Sequence, residues 1–191
     1  MKSIILLFAC FAFLSFTSKP NEQKNSVPPI PIAGVYLYSN NITTGAGSVA
    51  DGHPDEVRLA YDSSDVTLPV TIGAGGPQAG APSFSAVTIR KAFDITSLRL
   101  SRLVLNPLSR NFEIRYYNGV ATEPVYKIVL QNSYISAAGR ATVDCQGNGC
   151  IGLKETYSIT FGTIEYHNLM VSPAQILTYN RSTQTYTWTN N

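Results

Sequence analysis

The chain has two histidines, His53 and His167, and these are the first residues to consider for general-base or metal chemistry. A nucleophilic triad needs a histidine oriented beside a serine or cysteine, and many hydrolases present that serine in a Gly-x-Ser-x-Gly turn. The sequence contains no such turn, and it lacks the HxH and HExxH spacings with which two histidines bind one zinc ion. We therefore predict that the protein is not an enzyme, with no catalytic residue and no metal ligand.

Two other segments have the composition of a ligand site but not its spacing. The run Asp51-Gly52-His53-Pro54-Asp55-Glu56 could be drawn as a metal site, but we interpret it as a polar loop that leads into a strand. The segment 73–80 is rich in glycine, yet it lacks the Lys-Ser/Thr pair of a phosphate-binding loop, and we interpret it as a flexible connection. No two carboxylates stand out as an acid and base couple. We expect no cofactor.

Cys145 and Cys150 bracket the turn-forming sequence Gln-Gly-Asn-Gly. In an oxidising compartment, two thiols across so short a loop form a disulfide, and this is our prediction. Two free thiols are the alternative, whereas a metal site is disfavoured because no second cysteine pair or histidine lies near in sequence. The bridge would restrain one loop, with a stabilisation on the order of 2 kcal/mol, and would not hold up the fold.

The N-terminal segment predicts export. An apolar run extends from Ile4 to Phe16, which is too short for a bilayer span of roughly 20 residues. One lysine before it and small polar residues after it are typical of a signal peptide, here residues 1–18, although a buried N-terminal strand is the alternative. Lipidation at Cys10 is disfavoured because the apolar run continues after it. We predict an exported protein, periplasmic or extracellular, with no membrane span in the mature chain.

The remaining chain divides into a polar, proline-rich tether (residues 19–33) and one domain (residues 34–191). Alternating apolar residues predict about eight or nine strands, and an antiparallel β-barrel suits them because closure removes exposed edges. One short helix is predicted, with Asp94-Ile95-Thr96-Ser97 offering its N-cap and Leu100, Leu103 and Val104 on its apolar face. The apolar phase slips near Gly162, which favours a β-bulge there.

Composition excludes one class of partner. The 14 basic and 12 acidic residues give a net charge of +2, which is too balanced for binding nucleic acid by bulk charge. Six basic residues lie between positions 90 and 115 with only two acidic ones. We interpret this run as a solvated face, with an anionic partner or the acidic residues Asp51, Asp55 and Glu56 of a neighbouring subunit as alternatives.

From about Gly34 to its end, the sequence resembles the Hcp family, the tube-forming proteins of bacterial type VI secretion. Each matching stretch is short, and their common order carries the resemblance. The stretches are Gly47-Ser48 with His53 to Val57, the strand and helix segment 84–98, the long strand Val125 to Ser136, the segment Glu155 to Tyr166 with its phase slip, and Tyr186-Thr187-Trp188.

The resemblance implies a β-barrel flanked by one helix, and a homo-oligomeric ring, usually a hexamer, that stacks into a hollow tube with protein cargo in its lumen. It implies no catalysis and no cofactor. The loop 40–54 would then reach toward a neighbouring ring. One departure stands out, because Hcp proteins assemble in the cytoplasm, whereas residues 1–18 and the cysteine pair predict export.

Two rival functions remain from the sequence. A secreted, monomeric β-rich binding module for glycan, protein or envelope would present an exposed aromatic patch, with Tyr116, Tyr117 and Tyr134 as candidates. A small hydrolase or metal enzyme would require His53 and His167 to lie together with acidic partners.

Overall fold

The computed structural model describes residues 32–47, 52–73, 75–119, 122–144 and 151–191. The predicted signal peptide, nearly all of the tether 19–33, and the Cys145–Cys150 pair lie outside the described residues. Within the described residues the chain is mainly β with one short helix, as predicted. None of the helical structure described is long and apolar enough to cross a membrane.

The described residues form one helix and fourteen strands, which is more strands than the sequence predicts because several apolar runs are interrupted. In chain order they are β1 (Gly34–Tyr38), β2 (Val57–Arg58), β3 (Tyr61–Ser63), β4 (Val66–Thr67), β5 (Val70–Gly73), β6 (Gly76–Ala79), β7 (Ser83–Phe84), β8 (Val87–Ala92), α1 (Thr96–Leu105), β9 (Arg110–Tyr117), β10 (Tyr126–Asp144), β11 (Ile151–Thr160), β12 (Thr163–Asn168), β13 (Gln175–Asn180) and β14 (Thr185–Asn190).

The long strand β10 organises the main ten-stranded sheet. Its first part pairs with β9 on one side and with β12 on the other, and its second part pairs with β11. All of these pairings are antiparallel. Beyond β12, the sheet continues through β13 to β14, which forms one edge.

Residues 57–63 connect strand β1, at one end of the sheet, with strand β8, at the other. Strand β2 pairs with β1, and β3, which follows after two residues, pairs with β8. Between them, the Leu59 amide donates to the Val35 carbonyl and the Ala60 amide donates to the Arg90 carbonyl, both at 2.8 Å. Hydrogen bonding thus runs around the core through β10, β9, β1, residues 57–63, β8 and β11, in a barrel-like arrangement.

Strands β11 and β12 lie end to end along β10. On β10 and on the β11–β12 side, the side chains that face the core change from one alternating set to the other at the same place. Gln131 pairs with Thr163 and Tyr134 pairs with Thr160, so the register has no net slip across Gly162. The predicted change of apolar phase is present, but the register shifts lie in β10, between Leu130 and Ser133 against β9 and between Ile135 and Ala137 against β11. The bulges therefore lie in β10, one opposite Gly162 and one opposite Ser158 and Ile159, and not at Gly162 itself.

The close contact between the two strands at this point explains the glycine. The Gly162 amide donates to the Gln131 carbonyl at 3.1 Å, and a Cβ on Gly162 would lie 3.2 Å from Cβ of Asn132. Asn132 itself has a φ of 50°. This local distortion lets the core side chains of both strand halves point inward.

The helix α1 covers one part of the core. Leu100 and Leu103 are buried on its inner face, as the sequence predicts. Ile95 is the N-cap residue, within the predicted segment, and the Asp94 carboxylate just before it accepts hydrogen bonds from the amide of Thr96 at 2.8 Å and from its hydroxyl at 2.5 Å. The outer face carries Leu98, which is 72% exposed, and the C-terminal Leu105, which is 87% exposed.

An arm projects from this body between residues 66 and 84. Strand β4 pairs with β7 and β5 pairs with β6, so two short ladders follow one another along a single hairpin. The break at Pro69 matches the expected effect of proline on a strand. The segment 73–80, interpreted as a flexible connection, instead supplies β6 to this arm.

Candidate functional site

Three basic side chains lie in register on neighbouring strands of the main sheet. Arg115 on β9 is paired with Lys127 on β10, and Lys127 is paired with His167 on β12. Residues that pair directly across strands share one face, and Ile114 and Ile128, one position along, are buried on the other face. The alternation that builds the core therefore gathers Arg115, Lys127 and His167 on the opposite face.

The buried carboxylate of Glu56 is the centre of a polar cluster on this face. Its Oε1 atom accepts hydrogen bonds from Nη1 of Arg115 at 2.7 Å and from the Tyr117 hydroxyl at 2.9 Å. Its Oε2 atom lies 2.7 Å from Nδ1 of His53. Arg115 also binds Glu113, with Nε 2.8 Å and Nη2 2.7 Å from Oε2. One carboxylate therefore binds His53, three residues before it, and two side chains of β9 that are about sixty positions away.

Aromatic rings hold the cluster in place. The His53 ring stacks on Tyr36 with the ring centroids 4.0 Å apart, and it meets Tyr117 edge-on at 4.5 Å. The Arg115 guanidinium lies 4.0 Å from the centroid of the Tyr38 ring, in cation–π geometry. Tyr36 and Tyr117 thus orient the imidazole of His53, and Tyr38 orients the guanidinium of Arg115.

Burial and hydrogen bonding shift the pKa values of two members of the cluster. Burial acts to lower the pKa of Arg115, but the bonds to Glu56 and Glu113 outweigh it, so that its pKa is raised. Burial, followed by the hydrogen bond to Glu56, raises the pKa of Tyr117. Arg115 is therefore a permanent cation and Tyr117 a neutral hydrogen-bond donor at physiological pH.

The two histidines line one cavity of about 470 Å³, together with Arg115 and Lys127. Nε2 of His167 lies 2.8 Å from Oε2 of Glu165, so each imidazole has its own glutamate. The hypothesis of a hydrolase or metal enzyme required the two histidines to lie together with acidic partners, and the structure meets that condition. Among the described residues, however, neither imidazole has a hydroxyl or thiol as a hydrogen-bond partner, and no three His, Cys, Asp or Glu side chains are grouped to hold a metal.

In this cluster, the hydrogen-bond donors of His53, Arg115 and Tyr117 are bound to the carboxylates of Glu56 and Glu113. A triad would need a nucleophile against an imidazole, and the cluster supplies carboxylates, rings and a guanidinium instead. Lys127 is the exception, since no hydrogen-bond or ion-pair partner for its ammonium is found within the described ranges. Within the described part of this surface, the ammonium of Lys127 is therefore available to bind an external group.

The basic run between positions 90 and 115 does not form a single face. Lys91 is fully buried, Arg115 faces Glu56, and Arg99 donates from Nη1 to the carbonyls of Ile42 and Thr44 at 2.9 and 3.1 Å. The interpretation as one solvated face is therefore wrong, because the alternating strands and the helix direct these side chains to different places. Glu56, considered as a partner for this run on a neighbouring subunit, is bound within its own chain.

The described parts of the loop 40–54 pack against the domain, whereas residues 48–51 lie outside the described residues, so a reach of this loop toward a neighbouring ring stays a prediction. Ile42 and Thr43 are buried, and the Gly47 amide donates to the Pro54 carbonyl at 2.9 Å. Together with the bonds from Arg99, these contacts hold the loop against the body of the domain. The projecting element is the arm 66–84.

The aromatic patch proposed for a binding module is not assembled. Tyr117 is buried, Tyr116 is half-buried, and they lie on opposite faces of β9. The Tyr116 hydroxyl donates to the Asp62 carboxylate instead of facing solvent. Of the three candidates, Tyr134 is exposed as expected, and further exposed aromatic residues lie on the edge strand β14, at Tyr186 and Trp188.

The arm carries one apolar face that is open to solvent. Val66, Leu68, Val70 and Ile72 alternate along it, and Ile72 is 86% exposed. Pairing puts Ala79 beside Val70 and Pro77 beside Ile72, which extends the same apolar face across the outer part of the hairpin. At the base of the arm, Phe84 beside Val66 instead packs on the core, with its ring stacked on Tyr179 at a centroid distance of 4.2 Å. Thr67 and Thr71 lie on the other face. An exposed apolar surface of this length is characteristic of a contact with another macromolecule.

Comparison with solved structures identifies the fold. A type six secretion system protein superposes with a TM-score of 0.68 at 12% identity, over 81% of this chain and 99% of that protein. Hcp1 from Salmonella typhimurium gives 0.65 at 14% identity, over 81% and 98%. The secreted protein Hcp3 from Pseudomonas aeruginosa gives 0.53 at 18% identity, over 82% and 97%.

No family model matches the sequence, and no curated protein matches it. Identities of this size establish the fold alone, and here the likeness takes in nearly the whole of each solved protein. The sequence resemblance is thereby confirmed at the level of structure: the chain has the fold of the Hcp proteins of type VI secretion.

Proposed function

We propose that the protein is a non-enzymatic structural protein of the Hcp type, which self-associates into rings, hexameric in the simplest case, that can stack. The observation that carries this proposal is the extent of the likeness. The chain covers 98–99% of the length of two solved proteins of this class, so no part of their fold is missing. A folded body of this shape acts by geometry and needs no catalytic group.

A ring of identical subunits needs two different, complementary surfaces on each copy. The apolar face of the arm is one candidate, with Ile72 at its tip. The outer face of α1, with Leu98 and Leu105 exposed, is the second. Both surfaces expose large aliphatic side chains, and burying them on a neighbouring copy would gain about 25 cal/mol per Å².

The oligomeric state of the purified protein tests this function. Light scattering and native mass spectrometry of the wild-type chain should give a closed oligomer with a single mass, and electron microscopy should show rings. The variant Ile72→Asp should dissociate it, because a charge cannot be buried in an apolar contact. Thr71→Asp places the same charge on the opposite face of the arm and should leave the oligomer intact.

A strict monomer at high protein concentration would overturn the ring proposal while leaving the fold unaffected. It would favour the alternative of a secreted binding module, with the cavity around Lys127 or the β14 aromatics as its contact surface. Equal dissociation by both aspartate variants would show that the arm contributes through its charge or folding and not through its apolar face.

We also propose that the chain is exported and acts in the periplasm or outside the cell. The support is the signal-peptide pattern of residues 1–18 and the cysteine pair, and one of the structural relatives is itself described as a secreted protein. N-terminal sequencing of the protein recovered from cells should show cleavage near Thr17 or Ser18. Mass measurement before and after alkylation should show Cys145 and Cys150 protected until a reductant is added.

A further inference from the structure

An aromatic groove crosses the core-facing side of the sheet where β12, β13 and β14 extend past the barrel-like body. Tyr116 on β9 and Tyr126 on β10 lie at one end, with ring centroids 5.3 Å apart. Tyr166 and Leu177 continue the groove on β12 and β13, and Trp188 on β14 ends it. Pairing aligns Ile128, Tyr166, Leu177 and Trp188 in one row, so these side chains share a face.

This groove is open although its walls are apolar. Trp188 is 56% exposed, and two adjoining cavities of about 370 and 380 Å³ lie along it. The two cavities share Tyr126 and Asn168 as walls, so they form one continuous depression. An aromatic strip of this kind is unfavourable in water unless another group covers it.

The chain itself enters the groove. Ile32, the first described residue, lines the cavity beside Tyr116, Tyr126 and Met170. The Ala33 amide donates to the Tyr117 carbonyl at 2.8 Å, which fixes the direction in which the chain arrives. Residues 26–31, with the sequence Ser-Val-Pro-Pro-Ile-Pro, are therefore tethered at one end of the groove.

The composition and length of residues 26–31 fit this groove. Proline-rich segments favour the extended polyproline II conformation, and grooves lined by aromatic residues bind that conformation. Six residues of such a helix span about 19 Å at roughly 3.1 Å per residue. From β9 to β14 there are four strand spacings, which at roughly 4.8 Å each also give about 19 Å.

We propose that residues 26–31 bind in the aromatic groove of their own chain, as a strap that covers Trp188. Val27 and Ile30 supply the apolar side chains, and the three prolines supply a backbone that loses little entropy on binding. The strap lies after the predicted signal peptide, and this inference is independent of ring formation.

The single tryptophan of the chain makes the strap measurable. The full chain is compared with the double variant Val27→Ser/Ile30→Ser, using tryptophan emission and quenching by acrylamide. The variant should show a red-shifted emission and a quenching constant about twofold higher, because Trp188 loses its cover. Pro20→Ser, in the same predicted tether but outside the strap, is the control and should behave as the wild type.

Two further measurements make the result decisive. A synthetic peptide with the sequence of residues 26–31 should restore protection to the double variant, whereas the same peptide with serine in place of its valine and isoleucine should not. Light scattering on each sample shows whether the mass has changed. A change of quenching at constant mass supports the strap, whether or not the protein forms rings.

Several outcomes would overturn the inference. Equal quenching in the wild type and the double variant would show that residues 26–31 do not cover Trp188. Protection that disappears on dilution of the wild type would show that the groove is covered by a second copy. Protection that changes only when the mass changes would assign the cover to the oligomer interface.

Discussion

Glu56 and Arg115 are 59 positions apart in sequence, yet Oε1 of Glu56 lies 2.7 Å from Nη1 of Arg115. Glu56 precedes β2, Arg115 lies on β9, and both strands pair with β1. The contact therefore joins two strands across the strand between them. It also fixes His53 and Tyr117, so the polar face of the sheet depends on this pair.

Glu56→Gln should lower the free energy of unfolding by about 2 kcal/mol, because Arg115 loses a buried charged partner and His53 loses its carboxylate. Urea unfolding followed by circular dichroism would measure this loss. Glu123→Gln, an exposed glutamate on the rim of the same cavity, is the matched control and should change stability by less than about 0.5 kcal/mol. Equal effects of the two variants would contradict the structural role of Glu56.

Gly47→Ala should destabilise the protein by about 2 to 4 kcal/mol, since strain of this kind belongs to the larger mutational effects. A Cβ at position 47 would overlap the carbonyl oxygens of His53 and Glu56, so the loop that carries both residues must move. Thermal unfolding provides the measurement. Gly139→Ala is the control, because a Cβ at that strand position meets no atom within 4 Å, and a stability unchanged in both variants would refute the close packing at Gly47.

Lys91 and Glu155 form an ion pair at 3.1 Å, and both side chains are 0% exposed. Lys91→Met alone should cost about 3 to 5 kcal/mol, because it leaves the carboxylate buried with one fewer partner. The double variant Lys91→Met/Glu155→Leu should recover much of this loss, since neither buried charge remains. Denaturant unfolding of the two single variants and the double variant gives the coupling energy.

Burial by itself would raise the pKa of Glu155, but hydrogen bonds from Ser97, Arg140 and Lys91 outweigh it and hold the pKa below its ordinary value. The wild type should therefore lose stability as the pH falls from about 4.5, the ordinary pKa, through the lower pKa of the folded state, because the unfolded chain binds the proton more readily. This acid dependence should be weaker in Glu155→Gln. Two results would contradict the ion pair between Lys91 and Glu155. One is that the losses of stability in Lys91→Met and Glu155→Leu add up to that of the double variant, and the other is an acid dependence of Glu155→Gln equal to that of the wild type.

Asp62 should give a pH dependence of the opposite sign. Burial raises its pKa above the ordinary value of 3.8, although the hydrogen bond from Tyr116 acts to lower it. Its contribution to stability is therefore complete below pH 3.8 and is lost as the pH rises through the pKa of the folded state. Asp62→Asn, which keeps an oxygen acceptor for Tyr116, should gain stability relative to the wild type as the pH rises toward 7.

Chemical unfolding of Asp62→Asn and the wild type between pH 3 and 7 would measure this difference. Asp65→Asn removes a carboxylate from an exposed position of the same region and controls for the change in net charge. Curves for Asp62→Asn and the wild type that stay parallel over this range would show that Asp62 is not perturbed.

The predictions from the sequence are correct for elements that depend on a pattern of neighbouring residues. The spacing of Leu100 and Leu103 predicts the buried face of α1, and the helix begins at the predicted segment Asp94 to Ser97, with Ile95 as its N-cap. The change of phase near Gly162 is also visible in the sequence, because side-chain alternation is a property of neighbouring residues. Its cause is not visible, since the bulges that produce it lie in the partner strand β10.

The arm shows the limit of such patterns. Val66 to Ile72 alternate as a strand of the core would, and the glycines of segment 73–80 indicate only a turn or a connection. Whether that alternating face meets the core or solvent depends on which strand pairs with it. Among the described strands β5 pairs only with β6, and the apolar face is exposed.

By itself, the sequence determines a mainly β chain with one short helix, whose ordered motifs resemble the Hcp family, because strand alternation, helix spacing and capping are set by residues close to one another. Tertiary structure alone decides that Glu56 binds Arg115, that Lys91 is buried, and that Trp188 lies at the end of an aromatic groove. These relationships join residues far apart in sequence, and they follow from the order and register of strand pairing, which no local pattern encodes.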